Sequence, residues 1–178
     1  NFENHLLRLL NYIKNEKLEL NFHTPNGLHP KFITREIAKI LKETNFKTIR
    51  LSLETINSKR EKESSFKVSF SDFENAIENL ILSGFSKDDI GVYILAGLPE
   101  QGYLEVKETI KLLKGYPCKI NLGEYSPIPG TIDFKISKKL YPYLPLDEPL
   151  YQNNSIFPLW QFKDKWEKIE ELKNFLKS

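Results

Sequence analysis

The 178-residue chain suits one domain of ordinary size, and with 40% hydrophobic residues it can bury a real core. Its 26 basic and 24 acidic residues nearly cancel at a formal +2 and interleave without a Lys/Arg block, which argues against a nucleic-acid partner. A single cysteine, Cys118, rules out a disulfide framework or a thiolate metal cage. No apolar run is long enough for a bilayer and no signal-like start is visible, so the expectation is a reducing, cytoplasmic setting with no membrane partner. The chain starts at Asn1 and contains no methionine, so Asn1 reads as a cut point inside a longer protein.

In chain order, Phe2 to Lys14 places Phe2, Leu6, Leu9, Leu10 and Ile13 on one helical face. Leu18 to His23 alternates as a strand, and Thr24-Pro-Asn-Gly27 has turn composition. Ile33 to Thr44 is an amphipathic helix, followed by the alternating strand Thr48 to Glu54 and the polar loop Asn57 to Lys67. Ser71 with Glu74 has capping-box spacing for a third helix that ends at Gly84 in a left-handed cap. Ile90 to Ala96 is an apolar strand broken by Gly97-Leu-Pro99. Tyr103 to Lys114 is a helix stopped by Gly115, and Lys119 to Tyr125 is a strand ended by Ser126-Pro-Ile-Pro-Gly130. Residues Ile132 to Phe162 read as irregular, and Asp164 to Leu176 as a helix with Trp166, Ile169, Phe175 and Leu176 for docking.

Strands alternating with helices mean βαβ units and a parallel sheet. A full eight-unit barrel needs roughly 250 residues, so the expected fold is α/β, a partial parallel (β/α) barrel lacking its N-terminal units. The expected division is 1–131 for the βα units and 132–178 for an irregular tail with a docking helix.

Side chains alternate across a strand. Ile49, Leu51 and Leu53 share one face and should meet the helices, which turns Arg50, Ser52 and Glu54 inward. Leu18, Leu20 and Phe22 oppose Glu19, Asn21 and His23 in the same way, and Ile120 and Leu122 oppose Asn121 and Tyr125. Buried charges need partners, water or a ligand, so the interior should be wet or ligand-bearing. The alternative is that Arg50 pairs internally with Glu54 or Glu19. Among the remaining candidates, His23 reads as a satisfied core histidine, His5 and His29 as surface residues, and Cys118 as a small buried hydrophobe. No histidine pair has zinc-ligand spacing, and no GxSxG, P-loop or GxGxxG sequence occurs, so no metal site is expected.

The ordered set His23-Thr-Pro-Asn-Gly-Leu28, Ile49-Arg-Leu-Ser-Leu-Glu-Thr55, Val92-Tyr-Ile-Leu-Ala-Gly-Leu-Pro99 and Glu124-Tyr-Ser-Pro-Ile-Pro-Gly-Thr131 resembles the C-terminal half of radical S-adenosylmethionine (radical SAM) enzymes. It is closest to the branch that often carries a cobalamin-binding domain, whose tail motif Glu148-Pro-Leu150 and Asn153-Asn-Ser155 resemble. The resemblance implies a partial (βα)6 barrel, SAM and a [4Fe–4S] cluster in the whole protein, and allows cobalamin. In that family a CxxxCxxC loop holds the cluster, and cleavage of SAM yields a 5′-deoxyadenosyl radical. Cys118 cannot supply three thiolates, so the cluster loop would lie ahead of Asn1, and this chain alone is expected to be inactive and to dock on that missing part. By the same resemblance Arg50, Ser52 and Glu54 would reach the SAM carboxylate or ribose. Gly97, Leu98 and Pro99 would pack near the adenine, although Glu100 stands where relatives often have glycine. Thr24, Asn26, Tyr125 and Ser126 would line the side of a small-molecule substrate. The alternatives are a non-catalytic module binding a nucleotide-like or acidic metabolite, and a structural half-barrel.

Overall fold

The structure is a computed structural model, described for residues 2–54, 56, 68–153 and 156–177, leaving aside the side chains of 2–4 and 54. The expected loop Asn57 to Lys67, the Glu54 side chain, and Asn154 and Ser155 of the tail motif lie outside the described residues. In order come α1 (Phe2–Asn15), β1 (Phe22–His23), a 3-10 turn (Pro30–Phe32), α2 (Arg35–Glu43), β2 (Phe46–Glu54) and α3 (Phe70–Leu82). They are followed by β3 (Ile90–Ala96), α4 (Tyr103–Leu113), β4 (Lys119–Glu124), α5 (Ile132–Leu140), a 3-10 turn (Pro149–Gln152) and α6 (Lys165–Lys177). The four strands lie parallel in the order β1-β2-β3-β4. No helix among the described residues is long and apolar enough to cross a membrane.

The chain divides into two compact units. The first comprises Asn1–Leu53, Val68–Tyr93 and Leu113–Asn121. Its β2 obeys the expected parity: Ile49, Leu51 and Leu53 are buried, while Arg50 and Ser52 on the other face are half-buried. Helix α2 starts at Thr34, whose hydroxyl accepts from the Ile37 amide (3.3 Å). Helix α3 starts two residues earlier than the sequence spacing suggests. Its capping box is Ser69 with Asp72, not Ser71 with Glu74. The reason is Phe70: it packs on Phe73 and Tyr116 (ring centroids 5.6 and 5.8 Å), so the helix must include it. Glu74 instead accepts from the Tyr116 hydroxyl (2.7 Å). Gly84 ends α3 as expected, at φ +92°. Its amide bonds the Ile81 carbonyl (2.9 Å) and the next amide, of Phe85, bonds the Leu80 carbonyl (3.1 Å).

The first strand departs most from expectation. Only Phe22 and His23 pair with β2, through Phe22↔Phe46 and His23↔Thr48 with an irregular step between them. Leu18 and Leu20 are exposed, at 45% and 48%, so neither is buried against a helix. The preceding segment is tied by a side chain instead: Asn45, left-handed at φ +63°, donates to the Leu20 carbonyl (2.7 Å) and to Asn21 Oδ1 (2.6 Å). That amide takes the place of a continuing ladder. His23 is not a core residue either; it is exposed, with Nδ1 2.9 Å from Thr48 Oγ1.

The second unit comprises Glu54–Lys67, Ile94–Leu112 and Leu122–Ser178. The stretch after Thr131, expected to be irregular, contains α5, capped where the Thr131 hydroxyl accepts from the Phe134 amide (3.1 Å). Of α5 only Phe134 and Ser137 are buried, too thin a stripe to stand out as a helical period. Phe134 joins Leu146 and Leu159 in a small core. In α6, Ile169 is buried as expected, Leu172 is buried although the sequence reading did not name it, Phe175 and Leu176 are half-buried, and Trp166 is 56% exposed, its ring under Lys165 Nζ (4.8 Å).

Candidate functional site

In the first unit three strands bring polar groups to one point. Arg50 from β2 and Asn121 from β4 meet over Gly91 of β3. A Cβ on Gly91 would lie 2.7 Å from Arg50 Cδ, 2.9 Å from its Nη1 and 2.8 Å from Asn121 Nδ2. Only glycine leaves that space. Arg50 Nη1 and Asn121 Nδ2 are both buried with no hydrogen-bond partner among the described residues. Both are donors, so the point calls for an acceptor, and a guanidinium favours an anionic one. Tyr93, two residues past Gly91 and so on the same face, donates from its hydroxyl to the Pro25 carbonyl (3.4 Å).

The segment from His23 to Leu28 is pinned along β2. Thr24 Oγ1 accepts from the Arg50 amide (2.7 Å), the Leu28 amide donates to the Arg50 carbonyl (2.7 Å), and the Ser52 amide donates to the Leu28 carbonyl (3.0 Å). Thr24 thus positions Arg50 through backbone contacts, Asn26 is exposed, and Ser52 Oγ faces Gly27, where a Cβ would collide with it.

In the second unit Gly97 is left-handed at φ +96°, as the turn requires. Its amide and that of Leu98 both donate to Gln101 Oε1 (2.8 and 3.1 Å), while Gln101 Nε2 donates to the Leu95 carbonyl (2.9 Å). Leu98 and Pro99 are buried. Tyr125 and Ser126 line a cavity of about 320 Å³ with Leu95, Ile128 and Asp133. The Tyr125 hydroxyl is buried without a hydrogen-bond partner among the described residues; Ser137 beside it donates to the Asp133 carbonyl (2.7 Å). Burial, and after it the Asp133 charge, pushes the Tyr125 phenol up to about 12, so it stays a donor at neutral pH.

The sequence-derived candidates therefore fall into two groups. Thr24, Asn26, Arg50 and Ser52 belong to the first unit; Gly97, Leu98, Pro99, Tyr125 and Ser126 belong to the second. The side chain of Glu54 lies outside the described residues. Gly91, Asn121 and Gln101 were not singled out as site residues. Parity puts Asn121 on the polar face, and Gly91 interrupts an otherwise large-residue strand, which is the signal that marks a close approach. Gln101 has no such signal.

A family model described as the radical SAM superfamily matches residues 2–113. The chain belongs to the radical SAM superfamily. No curated protein sequence matches it. Among solved structures, it is similar to coproporphyrinogen III oxidase (HemN) from Escherichia coli, a radical SAM enzyme, with TM-score 0.67 and 13% identity over 98% of this chain. It is also similar to TsrM from Kitasatospora setae, a radical SAM methyltransferase solved with cobalamin and a [4Fe–4S] cluster, with TM-score 0.53 and 18% identity over 65% of this chain. The chain spans 37% of the first structure's chain and 24% of the second's. These likenesses carry the fold: α/β, parallel strands alternating with helices as in a partial radical SAM barrel.

Radical SAM chemistry at the family level calls for SAM and a [4Fe–4S] cluster. The residues present fit the two unequally. Among the described residues no group of His, Cys, Asp and Glu could hold a metal ion. Cys118 is 4% exposed, and burial pushes its thiol up to about 11, against a slight pull from Lys87. It does not fit a cluster-ligand role. At pH 8 it should carry about a hundredfold less thiolate than an ordinary cysteine, given the rise from 9.0 to about 11. A chromogenic disulfide should therefore label it slowly in the folded chain and at once in denaturant; equal rates would contradict its burial. The Arg50–Asn121 point, by contrast, has what a carboxylate needs.

Proposed function

We propose that this chain forms the SAM- and substrate-facing wall of a radical SAM enzyme, with the cluster thiolates coming from outside the chain. The observation that carries this is the pair of buried donors without a partner among the described residues, Arg50 Nη1 and Asn121 Nδ2, over Gly91. In this reading Arg50 and Asn121 hold the carboxylate of SAM. Ser52 and Glu54 serve its ribose, and the Gly97-Leu-Pro99 turn takes the adenine. Thr24, Asn26, Tyr125 and Ser126 face a small-molecule substrate. The βα units of 1–131 supply the wall, and 132–178 is a tail with a docking helix.

In this family, SAM bound at a [4Fe–4S] cluster supplies a 5′-deoxyadenosyl radical. The residues of this chain bind and orient: Arg50 fixes a carboxylate by charge-assisted hydrogen bonds, and the Tyr125 phenol offers a proton donor to the neighbouring cavity. Likeness to TsrM makes cobalamin a further cofactor to test in the whole protein.

Titration calorimetry of the chain with SAM and with 5′-deoxyadenosine tests the assignment. SAM should bind about tenfold or more tightly, because the nucleoside lacks the carboxylate. Equal affinities would overturn the role of Arg50. Anaerobic assay of the cluster-bearing protein for 5′-deoxyadenosine formation tests the enzyme. Its absence, with SAM binding intact, would favour a non-catalytic module for a nucleotide-like or acidic metabolite, a reading supported by the lack of cluster thiolates here.

A further inference from the structure

We infer that Gln101 is a positioning residue for the Gly97-Leu-Pro99 turn and that the tail locks it there, so ligand binding at the turn depends on residues 157–160. The inference rests on the reading of that turn as a SAM-facing element.

Gln101 is 5% exposed, and both ends of its amide engage one local network. One oxygen accepts from two successive amides, Gly97 and Leu98, and the nitrogen donates to Leu95 just before them. The side chain therefore holds a left-handed glycine at the strand end, alongside the Gln101 backbone amide, which donates to the Leu98 carbonyl (3.0 Å). A turn held this way meets its ligand without having to be ordered first, which is how preorganisation raises affinity.

The lock on Gln101 comes from the far end of the sequence. The Trp160 indole donates from Nε1 to the Gln101 carbonyl (2.9 Å), and Trp160 is 2% exposed. Its ring stacks on Phe157 (5.4 Å between centroids). Phe157 is left-handed at φ +47°, a conformation an aromatic residue adopts only when its surroundings impose it. The imposed geometry puts Phe157 against the turn: a Cβ on Gly97 would sit 3.3 Å from Phe157 Cδ1. Lys165 secures the strained residue from behind, donating from Nζ to the Ile156 carbonyl (3.0 Å) and reaching that of Phe157 (3.4 Å). These groups lie beyond residue 113, where the family match ends. The tail thus supplies a function for the turn that the matched segment does not contain.

The test uses the whole chain with SAM as probe and the variants Gln101→Glu and Trp160→Phe. In Gln101→Glu the ionised carboxylate would accept from both amides but set an oxygen against the Leu95 carbonyl; once protonated, it donates there as glutamine does. At about pH 8, Gln101→Glu should bind SAM about tenfold more weakly than the wild type, and the ratio should close as the pH falls to about 5.5. Trp160→Phe keeps the stacked ring but loses the indole N–H, and should weaken binding by about threefold with an unchanged circular dichroism spectrum. A variant-to-wild-type ratio that stays flat with pH, or Trp160→Phe binding like the wild type, would overturn the positioning role while leaving the SAM-facing reading intact. If the wild-type chain binds no SAM, the SAM-facing reading fails first and the positioning role falls with it.

Discussion

Arg50→Ala should weaken SAM binding by about 30- to 100-fold while leaving thermal stability unchanged or slightly higher. The two halves of this result have one cause. In the free chain Arg50 Nη1 is buried with no hydrogen-bond partner among the described residues, so the folded state already bears its desolvation. Removing the group relieves that penalty and removes the donor an anionic ligand would meet. Gly91→Ala is the control. The atoms its Cβ would strike, Arg50 Cδ and Nη1 and Asn121 Nδ2, belong to the ends of side chains and can move. The fold should therefore survive while the guanidinium is displaced, and affinity should drop in the same direction. Calorimetry and a thermal melt on each variant decide the matter. A sharp fall in melting temperature for Arg50→Ala, with SAM binding retained, would mean that the arginine holds the fold and not a ligand.

Phe73→Ala should have the largest effect on stability, a loss of about 3–5 kcal/mol. The ring is 0% exposed and contacts Phe70 and Tyr116 at centroid distances of 5.6 and 5.4 Å. Its loss opens a cavity beneath α3 and removes the packing that makes Phe70 the first residue of that helix. Leu104→Ala, at a position 68% exposed, should change stability by no more than about 0.5 kcal/mol. Urea unfolding of both variants, with unchanged slope, checks the contrast. A small loss for Phe73→Ala would show that the first unit repacks around the gap.

Parity was the part of this fold that could be read from sequence. Thr48 to Glu54 alternates so regularly that the burial of Ile49, Leu51 and Leu53 and the inward turn of Arg50 follow from the two-residue period. The same rule failed at Leu18 to His23, because alternation describes a strand only where a neighbour supplies hydrogen bonds, and pairing begins at Phe22. Helix α5 was hidden because it buries two residues only. Of the site, Arg50 was legible through its charge on a polar face. Gly91 left only a gap in a run of larger residues, because its role is the absence of a side chain between groups from two other strands. Gln101 was hidden for a different reason. Its value lies in contacts with amides three and four residues back and with an indole 59 residues on, and neither spacing leaves a pattern in the sequence.

The two tryptophans make the chain a pair of unequal optical probes. Trp160 is enclosed, stacked and hydrogen-bonded to the backbone of Gln101, whereas Trp166 stands largely in solvent beneath an ammonium group. Loosening of the turn at Gly97 therefore reaches the indole of Trp160, whose emission would shift toward the red. Trp166 meets Phe157 edge-on (6.5 Å) but is already 56% exposed, so its water-like emission would move less than that of Trp160.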